Sequence, residues 1–344
     1  MAGGDLDSVL DATLSAPPPP RLGRRSWVRR VFGHRAVIML VIDLGFILIM
    51  TRLSPYFLYA GNGFANFKVM LVSMAMDTIV LAAMVMLLIG GMFDLSVDGV
   101  VNMTGVVTGA LLVSGVNIWL AMAAGAASAL IVGLINGFAV TWLKMNPLMT
   151  TLGTWWIAQG LAFGITQGIS SHSFPQEFID IGYSSPWGIT MPIWYACFLV
   201  ALAIWVLAKT RFGYHIYAIG GNREGARLHG VKVNRVTIIS FVLVALASAL
   251  SGIVYAARLN AAVPQTVNGL NLRVISGAVI GGCSLNGGEG SIVGALLGLF
   301  FMTMLTNASI MLNISPYWQM CILGVVVLIA VGADAFAKRR IPAA

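Results

Sequence analysis

Long apolar runs separated by short polar breaks dominate the chain. Runs long enough to cross a hydrocarbon core of about 30 Å lie at 36–52, 69–91, 98–116, 118–142, 148–168, 190–208, 236–258, 274–289, 291–310 and 318–335. The pattern predicts an all-α, polytopic membrane protein of about ten transmembrane helices. The runs at 98–116 and 274–289 are short or Gly-rich and have the least sharp boundaries. Small residues four apart recur at Gly105/Gly109, Gly133/Gly137, Gly160/Gly164, Gly164/Gly168 and Gly294/Gly298. Lipid supplies no hydrophobic drive between helices, so close backbone approach takes its place, and these pairs predict tight helix contacts.

Composition removes the alternative of a soluble fold. Only 9% of the 344 residues are charged and 58% are hydrophobic, where a globular domain carries about 25% charged residues. Mean hydropathy is +0.90. Cys197, Cys283 and Cys321 stand far apart with no redox or metal-ligand spacing, and read as small buried residues. The four histidines are equally scattered, so no metal site is expected.

Charge orients the bundle. Arg21, Arg24, Arg25, Arg29, Arg30 and Arg35 precede the first run, and Lys144 follows the fourth. Lys209, Arg211, Arg223, Arg227, Lys232 and Arg235 lie between the sixth and seventh, and Lys338, Arg339 and Arg340 follow the last. With the N-terminus inside, sixteen basic residues fall in inner segments and four (Arg52, Lys68, Arg258, Arg273) in outer ones. By the positive-inside rule both termini are cytoplasmic and the number of spans is even. Residues 1–35, acidic at first and carrying Pro17-Pro18-Pro19-Pro20, read as a disordered cytoplasmic leader and not a signal peptide. Its basic cluster borders the membrane and suits anionic lipid headgroups. Residues 36–337 form the transmembrane domain and 338–344 a cytoplasmic tail. A nucleic-acid role for the arginine run is set aside, because the run abuts a spanning segment.

Several breaks and polar groups stand out. Asp43 and Asp77 fall inside the first two runs, where a carboxylate is costly. Neither has a charged companion at helical spacing, which favours a buried structural role over a proton relay. The stretch Gly90-Gly91-Met92-Phe93-Asp94-Leu95-Ser96-Val97-Asp98-Gly99 interrupts two runs. Ser96 as an N-cap with Asp98 in the first turn explains it as a helix start; a break beside a translocation path is the sharper alternative. The long inner segment 209–235 contains Asn222, a candidate N-cap for a short helix from Arg223 to His229 that Gly230 ends. A capped helix facing the cytosol points to a docking element. Gly281, Gly282, Gly287, Gly288 and Gly290 crowd one ten-residue loop. No glycine precedes any of the five lysines and the dinucleotide spacing fails, so the chain is expected to bind no nucleotide itself.

Four blocks carry a family resemblance. Phe93-Asp94-Leu95-Ser96-Val97 is similar to a Gly-Ile-Asp-Leu-Ser-Val-Gly segment. Gly133-Leu-Ile-Asn-Gly137 with Asn146-Pro147-Leu-Met-Thr-Thr-Leu-Gly153 is similar to an Asn-Gly … Pro-Phe-Ile-x-Thr-Leu-Gly block. Ala218-Ile-Gly-Gly-Asn222 with Ala226 and Gly230, and Gly281-Gly282-x-Ser284-Leu285-x-Gly287-Gly288-x-Gly290, complete the set. Over about residues 36–337 the chain resembles the membrane permease subunits of bacterial ABC sugar importers of the ribose/xylose/arabinose/galactose class. Phe93, Asp98 and Leu148-Met149 depart from the pattern, standing where Ile, Gly and Phe-Ile are usual.

The resemblance implies a multi-pass subunit of the bacterial inner membrane that is no enzyme and binds no cofactor. ATP and Mg belong to a cytoplasmic ABC ATPase partner. The other implied partners are a second permease copy, or a related permease, and a periplasmic sugar-binding protein, docking on the loops near 53–67, 169–189 and 259–272. The cargo would be a pentose, hexose or polyol. Asn222, Glu224, Ala226 and Gly230 are the expected contact with the ATPase. Asp94, Ser96, Asn136, Asn146 and Thr150 are path candidates, since hydroxyl and amide groups suit a sugar. The alternatives are a permease for branched-chain amino acids and an ion-coupled secondary transporter.

Overall fold

A computed structural model describes residues 34–54, 56–57 and 64–339. The expectations placed on the leader, including Pro17–Pro20 and the arginines through Arg30, lie outside the described residues, as do those for 340–344 and for much of the 53–67 loop. Among the described residues there are thirteen α-helices: α1 (His34–Leu53), α2 (Ala65–Ile89), α3 (Val97–Val113), α4 (Ile118–Thr141), α5 (Pro147–Thr166), α6 (Gln176–Tyr183), α7 (Met191–Lys209), α8 (Arg211–Gly221), α9 (Arg223–Leu228), α10 (Val233–Leu259), α11 (Leu270–Ile280), α12 (Ile292–Met311) and α13 (Pro316–Arg339). Two-residue strands β1 (Ser171–His172) and β2 (Ala261–Ala262) pair antiparallel, Ser171 opposite Ala262.

Each of the ten apolar runs falls on a helix, and six helices (α1, α2, α4, α7, α10 and α12) are long and apolar enough to cross a membrane. The run at 274–289 departs most from expectation. Its helix, α11, stops at Ile280, and the Gly-rich residues after it form a loop. At 1.5 Å per residue, eleven residues cover only about 16 Å, half a bilayer core. The ends of α4 carry membrane-interface marks: Trp119 and Trp142 are 74% and 64% exposed, and a helix of that length spans about 35 Å.

The core forms around α2 and α10. Every residue of α2 from Ala75 to Ile89 is buried, as befits a helix apolar on all sides. α10 packs against α2, α3 and α4, and α11 against α12. Glycines set several of these contacts. A Cβ at Gly133 or Gly137 would press into α10 at Phe241, Val242 and Ile238, and the Gly277 and Gly281 backbones meet those of Gly298 and Gly294. Gly160, Gly164 and Gly168 behave differently from the expected packing: among the described residues nothing comes within 4 Å of a Cβ built there. The first two sit on an outer face of α5 beside the exposed side chains of Trp156, Ile157 and Leu161. The cysteine expectation of burial holds only for Cys283; Cys197 on α7 and Cys321 on α13 are exposed.

Asp77 has the charged companion that sequence spacing did not reveal. The Arg273 guanidinium, 196 residues further on and in the first turn of α11, donates from Nε to Asp77 Oδ2 at 3.2 Å, and the Tyr255 hydroxyl donates to Oδ1 at 3.0 Å. This ties α2, α10 and α11 together at one point. Asp43 is buried on α1, and among the described residues neither of its oxygens has a partner. Removing one member of a buried pair leaves an uncompensated charge and costs about 3–5 kcal/mol. Arg273→Met should therefore lower the melting temperature of the purified protein sharply, and Arg273→Met with Asp77→Asn should recover most of the loss. Equal melting of wild type and the single variant would remove the pair from the stability of the fold.

Candidate functional site

Polar groups gather in two places, a seam inside the bundle and a knot at the end that carries α8 and α9. The seam begins where α2 ends. After Gly91 the chain runs non-helically to Ser96 and enters α3. Ser96 occupies the N-cap position, but its side chain does not cap the helix. Asp94 instead holds Ser96 in place: its Oδ1 accepts from the Ser96 amide at 2.7 Å and from the Ser96 hydroxyl at 2.5 Å. A carboxylate is the stronger acceptor, so the hydroxyl serves as donor. Asn136 on α4 donates from Nδ2 to Ser96 Oγ at 3.0 Å, and its Oδ1 accepts from the Thr154 hydroxyl on α5 at 2.8 Å. Asp94, Ser96 and Asn136 are each no more than 1% exposed.

Three of the five path candidates thus form one hydrogen-bonded cluster with Thr154. Thr150 lies one turn from Thr154 on α5, and its carbonyl accepts from the Thr154 hydroxyl at 3.2 Å. Asn146 stands apart. It is exposed and caps α5, accepting from the Leu148 amide at 2.9 Å ahead of Pro147 in the first turn.

The seam continues through residues that were not among the path candidates, Asp98 having been read only as part of a helix start. Asp98 does not serve its own helix start. Its carboxylate accepts from the Gly269 amide at 2.7 Å and the Asn271 amide at 2.6 Å, so it caps the N-terminus of α11, where the helix dipole favours negative charge. Asn102, one turn on, bonds Gln159 of α5 at 2.8 Å and both backbone groups of Val267. Gln159 Nε2 donates to the Pro264 carbonyl at 2.6 Å. The segment 264–271 is thereby fastened to α3 and α5. The available signal was the four-residue spacing of Asp94, Asp98 and Asn102, which puts three polar groups on one side of the α2–α3 break.

At the other end of α10, Asn222 caps α9, its Oδ1 accepting from the Gly225 amide at 2.8 Å. Gly230 leaves the helix with φ 81°, and the Val231 amide returns to the Ala226 carbonyl at 3.0 Å, a standard αL stop. Ala226 is buried against the core, whereas Glu224 is exposed, 4.0 Å from Arg227, and Leu228 is 80% exposed. Burial, and secondly the neighbouring Arg227, hold the Arg223 guanidinium below its ordinary pKa. The stretch before Asn222 is a helix, α8, where a loop was expected. Thr210 caps it at the Gly213 amide, 3.2 Å, and Phe212, Ile216 and Ile219 face inward at helical spacing, a periodicity legible in the sequence.

α8 ends in the Gly-rich loop. The Gly288 amide donates to the carbonyl of Ile89, the last residue of α2, at 2.8 Å, and the Tyr217 hydroxyl donates to the Gly290 carbonyl at 3.0 Å. A Cβ on Gly220 would overlap the Ile89 oxygen and the Gly288 amide, and one on Gly287 would come within 2.6 Å of Gly91. Gly287 and Gly288 also have φ of 85° and 80°, a backbone open chiefly to glycine. Three Gly-Gly pairs, 90–91, 220–221 and 287–288, therefore meet backbone to backbone. Among the described residues no three His, Cys, Asp or Glu side chains group as a metal site.

A helical bundle with apolar spanning helices and an interior polar seam is a polytopic membrane protein. A family model described as "Branched-chain amino acid transport system / permease component" matches residues 66–331, and the chain belongs to that family, in accord with the resemblance carried by the four blocks. It is 39% identical over 276 residues to the L-arabinose transport system permease protein AraH of Escherichia coli (strain K12), covering 80% of this chain and 84% of that one. The L-arabinose ABC transporter permease protein AraH of Azospirillum brasilense is 34% identical over 80% of this chain and 81% of its own. The Autoinducer 2 import system permease protein LsrC of Photorhabdus luminescens is 37% identical over 68% of this chain and 71% of its own.

Asn136→Leu would remove the amide donor to Ser96 Oγ and Asp94 Oδ2 and the nearest acceptor of the Thr154 hydroxyl, at about 1–3 kcal/mol for a buried polar group left without its partner. Denaturant unfolding of the purified protein should show that loss, and a smaller one for Thr154→Val, which strands only one acceptor. An Asn136→Leu protein as stable as wild type would contradict the cluster.

Proposed function

We propose that this chain is the transmembrane subunit of an ATP-driven importer and carries a sugar handed over by a periplasmic binding protein. The observation that carries the proposal is the 39% identity, across most of both chains, to a protein named for L-arabinose transport. In this account the chain makes ten passes with both termini in the cytoplasm, as the asymmetry of basic residues requires. The α8–α9 end then faces the cytosol. The β1–β2 pair and α6, knitted together through Asn260 and Arg258, face outward, where the binding protein docks.

ATP and its Mg are held by a cytoplasmic partner, and α9 is the element that partner grips. Asn222 and Gly230 fix its two ends, Ala226 seats it on the core and Glu224 faces the partner. Displacement of α9 reaches the bundle through α8 and the glycine knot, which abuts the end of α2 and hence the α2–α3 break at Asp94. The open glycine face of α5 is where a second permease copy packs, with the sugar passing between the two.

The description of the family model favours one second reading, a branched-chain amino acid cargo. Uptake into vesicles holding the whole complex should be competed by arabinose or ribose and unaffected by leucine; the reverse pattern would replace the sugar. Glu224→Arg and Gly230→Pro should each abolish uptake and binding-protein-stimulated ATP hydrolysis while the chain still inserts. Unchanged values for both would remove α9 from coupling. Gly160→Cys should give an oxidation-induced dimer of this chain in membranes, with Ser128→Cys on α4 as the control that does not; equal cross-linking of the two would move the interface elsewhere.

A further inference from the structure

Where α4 meets the turn into α10, an open groove of about 480 Å³ is lined by Phe138 and Trp142 on one side and by Arg227, Lys232, Arg235 and Ile238 on the other. The two halves differ in chemistry. Phe138 and Trp142 stack with centroids 5.0 Å apart and planes 9° from parallel. They also end a line of exposed side chains, Ile131, Ile135, Phe138 and Trp142, spaced four, three and four along a spanning helix. That apolar stripe follows a helix long and apolar enough to cross a membrane and ends at the groove. The opposite wall carries three cations. Arg227 has Glu224 at 4.0 Å, whereas among the described residues neither Lys232 nor Arg235 meets an acid.

We infer that this groove binds one anionic phospholipid of the cytoplasmic leaflet, its phosphodiester against Lys232, Arg235 and Arg227 and an acyl chain along the α4 stripe. Charge complementarity fixes the headgroup end, and the stripe calls for a ligand whose apolar part lies within the membrane. An acidic loop of a soluble partner would satisfy only the basic wall. The lipid would sit beside the connection from α9 to α10, where it braces Arg227 and the residues that follow α9. The placement on the cytoplasmic leaflet rests on the orientation proposed above.

Native mass spectrometry of the complete complex, titrated with dioleoyl phosphatidylglycerol or dioleoyl phosphatidylcholine, tests this. One tightly held phosphatidylglycerol per permease chain is expected, with no equivalent phosphatidylcholine. Lys232→Gln with Arg235→Gln should weaken phosphatidylglycerol binding roughly 30-fold, from about one decade or less per basic group near the surface. Arg211→Gln, at the same end but outside the groove, should leave it unchanged, and the melting temperature of each variant establishes that it is folded. Wild-type lipid affinity in the double variant overturns the site, and displacement of the lipid by inorganic phosphate shows a free-anion groove and overturns it too. Shielding of the groove by a second permease copy, read as lipid binding only to dissociated chains, also overturns it. The same spectra report whether the ATPase accompanies the chain, so loss of the proposed function appears as a missing subunit and not as a missing lipid.

Discussion

At the end of the bundle that carries α8 and α9, Gly220, Gly287 and the backbone from Ile89 to Gly91 occupy a space in which no Cβ fits, and the capped helix α9 hangs from that contact. Packing of side chains against side chains leaves room for small slips. Backbone against backbone, held by the Gly288-to-Ile89 hydrogen bond and the Tyr217-to-Gly290 one, leaves very little. In the proposed coupling, a force on α9 enters α8 and arrives at the end of α2 through this rigid contact. Beyond that end lies the polar break at Asp94, so the stiff element and the polar seam are neighbours by construction.

A second constraint governs the seam. Non-helical backbone inside a membrane protein survives only where its polar groups find partners. Here side chains far away in sequence provide them. Asp98 satisfies the first amides of α11, Asn102 both backbone groups of Val267, and Gln159 the Pro264 carbonyl. The Asp77–Arg273 pair fastens the same half-length helix to α2. α11 is too short to span alone, and these bonds, with the Gly277 and Gly281 contacts to α12, hold it at its depth.

The helices were legible because apolar run length is a strong signal in lipid, and α9 because Asn222 and Gly230 bracket it. α8 was missed because eleven residues rich in Gly and Tyr read as a connector unless Phe212, Ile216 and Ile219 are counted as a face. α11 was overextended because the apolar run was carried on through Gly281-Gly282-Cys283, although Gly282, with φ 102°, and the Cys283 amide returning to the Ala278 carbonyl end the helix at Ile280. Within the site, Asp94, Ser96 and Asn136 were found from a block resemblance, yet Asp98, Asn102, Gln159, Asn271 and Arg273 were not. Their partners lie from 57 to 196 residues away, and no local spacing encodes such pairings. Gly160 and Gly164 were read as tight helix contacts, although among the described residues their face is open, because a small-residue pair does not say what it packs against.

The central claim is that α9, α8 and the Gly-rich loop move as one body when the ATPase partner changes state. Spin labels at Leu228 and Asn286 in the reconstituted complex, with a third at Trp119 on the opposite side of the membrane, test it by pulsed distance measurement. The account predicts a Leu228–Asn286 distance that is the same with and without ATP, while the distance from each to Trp119 changes. A Leu228–Asn286 distance that shifts with nucleotide, the Asn286–Trp119 distance staying fixed, would show that α9 moves free of the knot and would contradict the account.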